Sequence, residues 1–315
     1  MPHSSSTPAI EKLTDIIKES AHTLGFEKVG IAPATPLDSE ADRLDEWLHH
    51  GRHATMSWMA VRSDERKNIL NYFPEAKSVI CVGMNYFHGN ADGEMKISNY
   101  AWGDDYHVLL KERLYQLLES VKERLPDVKG VACVDTSPVM EKVWAQRAGL
   151  GWIGKHTNLI SRDYGSWLFL GELILDCELD YDDRFEEDLC GSCTACLDAC
   201  PTDAIVEDYL VDSRRCISYL TIEHRGDLPD EFAGQLGEWI YGCDICQEVC
   251  PWNQKFSQKS REPLFAPTSE IVERNPEEWS RLTEEEYRRI FRNSPVKRAK
   301  FTGLKRNIQS VLSNS

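Results

Sequence analysis

The chain has 315 residues, of which 41% are hydrophobic and 28% are charged, and its formal net charge is −16. A chain of this length is long for one compact core, so we expect two or three domains. No apolar run is long enough to cross a bilayer, and the first ten residues, MPHSSSTPAI, contain neither an apolar core nor a twin-arginine pair. We therefore expect a protein of the reducing cytoplasm with no membrane partner.

Helix and strand patterns alternate along the first 180 residues. Apolar positions recur at helical spacing in three segments: 8–24, 38–50 and 104–125. Four apolar segments are predicted as strands: FEKVGIA (26–32), KSVICVGM (77–84), VKGVACVD (128–135) and SWLFLGELILD (166–176). This alternation predicts a mixed fold, α+β or α/β, with helices packed on a sheet.

Eight of the eleven cysteines lie within residues 190–250. The run CGSCTACLDACP has the spacing C-x2-C-x2-C-x3-C-P, and CDICQEVCP repeats C-x2-C-x3-C-P after an isolated Cys216. The first spacing is typical of bacterial ferredoxins, in which the fourth cysteine of a run binds the other cluster. Eight thiolates are the number that two 4Fe–4S clusters need, so the pattern predicts one-electron transfer.

The crossed arrangement of such runs assigns the ligands of each cluster. The first three cysteines of the first run can face one cluster, while the x3 spacer and proline turn the fourth cysteine toward the other. The predicted ligands of cluster one are Cys190, Cys193, Cys196 and Cys250, and those of cluster two are Cys200, Cys216, Cys243 and Cys246. The remaining cysteines, Cys81, Cys133 and Cys177, lie in apolar segments and are expected to act as small hydrophobes.

Two other interpretations of the cysteines are weaker. Structural zinc sites take four ligands, commonly as two separated pairs, whereas three cysteines here fall within seven residues. Disulfides need an oxidising compartment, for which the N-terminus gives no indication.

Three polar segments precede the cysteines: YAWGDDYH (100–107), VDTSPVMEK (134–142) and GWIGKHTNLI (151–160). Asp135 ends an apolar strand, where a partly desolvated carboxyl can donate a proton, although it could instead cap a turn through Ser137. Asp104, Asp105 and His107 could simply begin the helix that follows. Lys155 and His156 could reach a polar ligand or be ordinary surface groups.

No nucleotide-binding motif accompanies these segments. Neither G-x-G-x-x-G after a strand nor G-x4-G-K-[ST] occurs, and the spacing of Gly149, Gly151 and Gly154 does not match a dinucleotide fold. We therefore expect the electrons to come from an external donor through the clusters.

The chain resembles the epoxyqueuosine reductase family in several segments taken together. In chain order these are the three polar segments, the first cysteine run, CISYLTIEHRG (216–226), the second cysteine run and SPVKRAKFTGLKRNI (294–308). The resemblance covers about residues 10–308. It implies a nitroreductase-like cobalamin-binding catalytic domain (1–180), a bacterial-ferredoxin-like domain with two 4Fe–4S clusters (181–262) and a short helical basic tail (263–315).

The resemblance also implies a reaction and its residues. The family reduces epoxyqueuosine to queuosine at the wobble position of tRNAs for Tyr, His, Asp and Asn, using base-off cobalamin fed by the two clusters. Asp135 matches the proton donor and also faces the cofactor, and Asp105 matches a second acid. The expected corrinoid-binding residues are Lys155, His156, Ser218 and Asp244. An external one-electron donor, a flavodoxin or ferredoxin system, is implied as a partner.

A basic segment near the C-terminus contrasts with the acidic remainder. Between Arg281 and Arg306 there are nine Lys or Arg residues and three Glu. Charge alone fits a solvated helix face, but the family resemblance implies binding to tRNA phosphates. The predicted contacts are Lys297, Arg298, Lys300, Lys305 and Arg306.

Two alternative functions fit parts of the pattern. A reductive dehalogenase-like cobalamin enzyme shares the layout of one corrinoid and two clusters. An iron–sulfur electron carrier without its own substrate would explain the cysteines but not the polar segments before them.

Overall fold

A computed structural model describes residues 8–232 and 234–313. The prediction about the N-terminal stretch MPHSSST lies outside the described residues. The helices are α1 (Pro8–Thr23), α2 (Asp38–His49), α3 (Trp58–Val61), α4 (Ser63–Lys67), α5 (Ile69–Tyr72), α6 (Tyr106–Lys122), α7 (Glu141–Arg147), α8 (Ala195–Asp198), α9 (Ile217–Ile222), α10 (Ile245–Glu248), α11 (Pro251–Phe256), α12 (Ser269–Val272), α13 (Pro276–Ser280), α14 (Glu284–Ile290) and α15 (Lys300–Leu312). The strands are β1 (Lys28–Pro33), β2 (Ser78–Asn85), β3 (Lys96–Ile97), β4 (Gly130–Cys133), β5 (Trp152–Ile153), β6 (Leu159–Ile160), β7 (Leu168–Leu175), β8 (Ile205–Glu207), β9 (Leu210–Val211) and β10 (Trp239–Tyr241).

A four-stranded sheet forms the centre of the N-terminal half. Its order is β1-β2-β7-β4, and every neighbouring pair is antiparallel. The two central strands are almost wholly buried, which explains their unbroken apolar sequences. The four predicted strands and the three predicted helices are therefore confirmed, with ends that differ by one to three residues.

Helices cover both faces of this sheet. One face packs on α1 and α6, whose Ile17, Leu110 and Leu114 are buried against it. The other face packs on α7 and on the segment around α5, where Trp144 and Ile69 are buried. The mixed α and β fold predicted from the sequence is confirmed in this coarse form.

A third core joins distant parts of the chain. It contains Trp102 from the N-terminal half, Tyr241 from β10, and Trp279 and Ile308 from the C-terminal helices. β3 pairs with β10 in a parallel arrangement, which links residues 96 and 239. The domain boundaries at 180 and 262 stay a prediction, and this core draws on all three predicted segments.

The described helices include none that is both long and apolar enough to cross a membrane.

Candidate active site

A cavity of about 2050 Å³ is lined by groups from both halves of the protein. Its lining comes from α2, from the loops that precede α6 and α7, from α9, and from the turn before α15. Pockets for drug-sized ligands measure about 300–1,000 Å³. The cavity therefore has room for a ligand well above that size.

Three side chains on the wall of the large cavity form a hydrogen-bonded chain. His107 Nδ1 lies 2.6 Å from Asp105 Oδ1, and His107 Nε2 lies 3.0 Å from Asp135 Oδ2. Burial lowers the pKa of His107, but the two carboxylates outweigh burial and raise it to about 9. His107 is therefore a cation at neutral pH, and it holds a proton beside Asp135.

The backbone of Asp135 is held in an unusual conformation. Its φ angle is +52°, in the left-handed region that few non-glycine residues adopt. The Asp135 N–H donates to the carboxylate of Glu141, the first residue of α7. Burial raises the pKa of Glu141 to about 8, and the charge on Asp135 acts in the same direction. The Asp135 loop is therefore fixed by a second carboxyl that faces the same cavity.

A second cavity, of about 360 Å³, brings four distant cysteines together. These are the predicted ligands of cluster two: Cys200, Cys216, Cys243 and Cys246. Cys216 and Ser218 line both cavities, so one predicted ligand of this cluster borders the large cavity. The small cavity therefore adjoins the large cavity at the start of α9.

The other four cysteines of the two runs are also neighbours. Burial raises the pKa of Cys196 to about 11, and the nearby Cys190, Cys250 and Cys193 contribute to that rise. Cys193 is exposed, whereas every cysteine of the second set is at least partly buried. Cys196 lies close enough to Cys246 to contribute to the raised pKa of Cys246. The two sets of cysteines are therefore adjacent.

Neither set has the geometry of a single-ion site. Among residues 8–232 and 234–313, no three His, Cys, Asp or Glu side chains converge on one point as a metal ion requires. A 4Fe–4S cluster takes one thiolate at each of four irons, so its ligands surround a volume. The cavity bounded by Cys200, Cys216, Cys243 and Cys246 fits that requirement.

The predicted corrinoid-binding residues are separated by the structure. Ser218 lines the large cavity and, with His156 and Asp244, also lines the small one. Asp244 accepts from Ser98 Oγ at 2.6 Å and from the Asn99 N–H at 2.7 Å, which ties the end of β10 to the segment after β3. Burial raises the pKa of Asp244 to about 6, although these bonds oppose the rise.

Lys155 lies apart from the other predicted contacts. Among the described residues its Nζ pairs with Asp208 at 3.0 Å, and it lines neither of the two cavities. This ion pair connects Lys155 to the loop that precedes β9.

One buried cation in the large cavity lacks a hydrogen-bond partner. Arg66 is 9% exposed, and its Nε makes no hydrogen bond within the described part of the chain. Burial lowers the pKa of Arg66, and the charge on Asp135 opposes this effect. A buried unpaired donor is costly unless a ligand satisfies it. The size of the cavity and this free donor fit a large polar cofactor such as a corrinoid.

The predicted tRNA-binding residues fall into two groups. Lys297 and Lys300 are exposed and have no ion pair among the described residues. Arg298 forms a two-point ion pair with Glu223 and lies over the ring of Trp58. Lys305 donates to the Ser280 carbonyl, and Arg306 donates to three carbonyl groups of the α9 segment: Leu220, His224 and Gly226.

Sequence reasoning missed three polar residues of the site. His107 was assigned only to the start of α6, and Glu141 and Lys142 were quoted in a motif without a role. Lys142 lines both cavities and donates to Asn158 Oδ1 at 2.9 Å. The available signal was their position in the polar segments that also carry Asp105 and Asp135.

Family models match two parts of the chain. Residues 189–253 match a model described as a 4Fe-4S double cluster binding domain, and residues 66–136 match one described as Epoxyqueuosine reductase QueG, DUF1730. The cysteine cavity and the first match together define an iron–sulfur protein of the 4Fe–4S class.

Whole-chain comparisons narrow this class to one family. The chain is 46% identical over 300 residues to an epoxyqueuosine reductase from Cellulophaga algicola, and the match covers 95% of this chain and 97% of that one. It is also 46% identical to the enzyme from Synechocystis sp., with 90% of this chain and 100% of that one covered. The protein belongs to the epoxyqueuosine reductase family. The enzymes of this family are oxidoreductases.

Solved structures of the family have the same fold. An epoxyqueuosine reductase bound to an epoxyqueuosine-modified tRNA-Tyr stem loop matches with a TM-score of 0.86 and 30% identity, covering 96% of this chain and 81% of that one. The enzyme from Bacillus subtilis, with its catalytic aspartate loop swung out of the active site, matches with a TM-score of 0.87 and 29% identity, covering 96% and 82%.

Proposed function

We propose that this protein reduces epoxyqueuosine to queuosine at the wobble position of tRNAs for Tyr, His, Asp and Asn in the cytoplasm. One observation carries the proposal: the Asp105–His107–Asp135 chain lines a large cavity that shares Cys216 with a four-cysteine cavity. A proton source and an electron route thus meet at one space.

The net reaction takes up two electrons and two protons. Both C–O bonds of the epoxide break, the oxygen leaves as water, and a carbon–carbon double bond remains. Bound cobalamin supplies the reductive chemistry at carbon, and two 4Fe–4S clusters supply electrons one at a time. The chain's own residues must supply protons, orient the nucleoside and exclude water.

Asp135 is the proposed proton donor to the epoxide oxygen. His107 Nε2 lies 3.0 Å from Asp135 Oδ2. The proton on this nitrogen can therefore replace a proton that Asp135 gives up. Asp105, which binds the other ring nitrogen, orients the imidazole and is the proposed second acid. The Bacillus subtilis relative carries its catalytic aspartate on a loop, which supports a catalytic role for Asp135 on the loop before α7.

The cofactor and partner assignments follow the same proposal. A base-off corrinoid would be held in the large cavity, where Ser218 and Asp135 line the wall. His156 and Asp244 line the small cavity instead, and Lys155 lines neither of the two cavities. Cluster one, beside the exposed Cys193, is the proposed entry point for electrons from a flavodoxin or ferredoxin system.

The tRNA is proposed to cover the mouth of the large cavity. The wobble nucleotide must leave its stack to reach Asp135, as in other enzymes that modify bases. Lys297 and Arg298 line the cavity, which supports contacts to nearby phosphates. Lys300 is exposed close by, whereas the internal bonds of Lys305 and Arg306 favour a structural role.

The test is anaerobic reconstitution with iron, sulfide and cobalamin, followed by visible spectroscopy and nucleoside analysis of tRNA that carries epoxyqueuosine. We expect about eight irons per chain, bound corrinoid and conversion to queuosine. Loaded clusters without bound corrinoid or conversion would favour the electron-carrier alternative. Corrinoid binding with dehalogenation and no conversion would favour the dehalogenase alternative.

A further inference from the structure

His156 presents a single buried donor to the cluster-two cavity. The residue follows β5 and is 4% exposed. Its Nδ1 accepts a hydrogen bond from the backbone N–H of Asn158 at 3.1 Å. Because Nδ1 acts as an acceptor, the proton of the neutral ring lies on Nε2. Burial, with a smaller effect of Lys142, lowers the pKa of His156 to about 4, so the ring is neutral.

The Nε2–H group has no acceptor within the described residues. It is fully buried and makes no hydrogen bond to protein atoms. A buried donor without a partner destabilises the folded protein unless a ligand accepts its hydrogen bond. The carboxylate of Asp244, the anionic oxygen group in the same cavity, is already occupied by Ser98, Asn99 and Gln247.

Sulfur atoms are the acceptors that cluster two would place in this cavity. His156 lines the small cavity together with the four cysteines proposed to hold cluster two. We infer that the Nε2–H of His156 donates a hydrogen bond to a sulfur atom of that cluster and thereby raises its reduction potential. The inference rests on the proposed function, since it requires cluster two. Hydrogen bonds to cluster sulfurs favour the reduced state because they stabilise the added negative charge.

Three substitutions separate the two hydrogen bonds of the ring. His156→Asn keeps an oxygen that can accept from the Asn158 N–H but has no N–H at the Nε2 position. His156→Gln places an amide N–H near the Nε2 position. His156→Leu removes both groups. His88→Asn is the matched control, because His88 Nε2 is also a buried atom without a partner among the described residues but the residue lines neither cavity.

The measurement is an anaerobic redox titration of reconstituted protein followed by electron paramagnetic resonance. In His156→Asn and His156→Leu we expect about a tenfold shift of one cluster's equilibrium toward the oxidised state, which is about 59 mV for one electron. The other cluster should keep its potential. His156→Gln should stay near the wild-type values, and His88→Asn should match wild type.

Four outcomes would overturn the inference: unchanged potentials in His156→Asn, equal shifts of both clusters, a His156→Gln protein that behaves like His156→Leu, or a reduced cobalamin affinity with unchanged potentials. The last outcome would assign Nε2–H to the corrinoid. Wild-type protein that does not load about eight irons would contradict the proposed function instead.

A second measurement does not depend on a variant that loads its clusters. Wild-type protein labelled with ¹⁵N-histidine should show magnetic coupling between a histidine nitrogen and a reduced cluster in pulsed spectra. Absence of that coupling would also overturn the inference.

Discussion

His107 in the large cavity is a cation at neutral pH, whereas His156 in the small cavity is neutral. Burial lowers the pKa of both rings. His107 lies between Asp105 and Asp135 and has a pKa of about 9, whereas His156 has a backbone N–H and Lys142 as neighbours and a pKa of about 4. The comparison shows that two adjacent carboxylates outweigh burial at His107, whereas burial, together with the smaller effect of Lys142, keeps His156 neutral.

The largest expected effect tests the small-cavity side of this comparison. Cys216→Ala removes a predicted ligand of cluster two that also borders the large cavity. We expect the iron content to fall from about eight to about four per chain and turnover to stop, because electrons can no longer cross the boundary. Iron analysis and the cluster spectrum measure this. Cys177→Ala is the control, and full iron in Cys216→Ala would contradict the ligand assignment.

A large effect is also expected on the other side, at Asp135. Asp135→Asn keeps the shape of the side chain but removes the proposed proton donor and its contact, as a carboxyl group, with His107. We expect turnover to fall by about a hundredfold to ten-thousandfold with clusters and corrinoid retained. Single-turnover nucleoside analysis measures the rate. A rate within about threefold of wild type would leave Asp135 with a turn-capping role.

The pH dependence of stability tests the charge on His107. Its folded pKa of about 9 lies above the unfolded value of about 6.5, so the bound proton stabilises the folded state. This contribution is complete below about pH 6.5 and disappears as the pH rises through about 9. We therefore expect His107→Gln to lower the apparent Tm more at about pH 6 than at about pH 10.

The control for this comparison is His49→Gln, which changes an exposed histidine of α2. The apparent Tm of each variant is measured against wild type at both pH values, by anaerobic thermal denaturation. If the Tm difference caused by His107→Gln is the same at both, His107 is not the cation that its two carboxylates imply.

The smallest effects are expected in the basic segment, where two kinds of cation can be separated. Lys297→Ala with Lys300→Ala should weaken tRNA binding and reduce the log–log salt slope by about 0.7 to 0.9 for each phosphate that is no longer neutralised. Arg306→Ala should instead lower stability by about 1–3 kcal/mol, because it removes hydrogen bonds to backbone carbonyl groups. Filter binding at several salt concentrations and thermal denaturation distinguish the two. An unchanged salt slope in the lysine variant would place the tRNA elsewhere.

The sequence predicted what depends on local pattern or on fixed spacing. β2 and β7 were recognisable because strands covered on both faces are apolar at nearly every position. The grouping of Cys216 with the distant Cys200 was recognisable because a cluster needs four ligands, and the small cavity contains both residues.

Interactions between distant segments were not predictable in this way. Asp105 accepts from the His107 N–H as the cap of α6, as expected, and this local explanation concealed the hydrogen bond between His107 and Asp135, 28 residues away. Arg306 looked available for phosphate because its acceptors lie about 80 residues earlier in the chain. A pattern of charges cannot show which of them the fold has already used.

The third core has a consequence for how the protein is made. All strands of the central sheet have left the ribosome once residue 175 is exposed, so that half can form during synthesis. Tyr241 and Trp102, however, belong to a core that also includes Ile308, so this core is complete only after α15 has been synthesised. Cys216 and Cys243, two of the predicted ligands of cluster two, pack against this core and precede α15 in the chain. We therefore expect the iron of cluster two to be inserted after α15 has been synthesised and has docked.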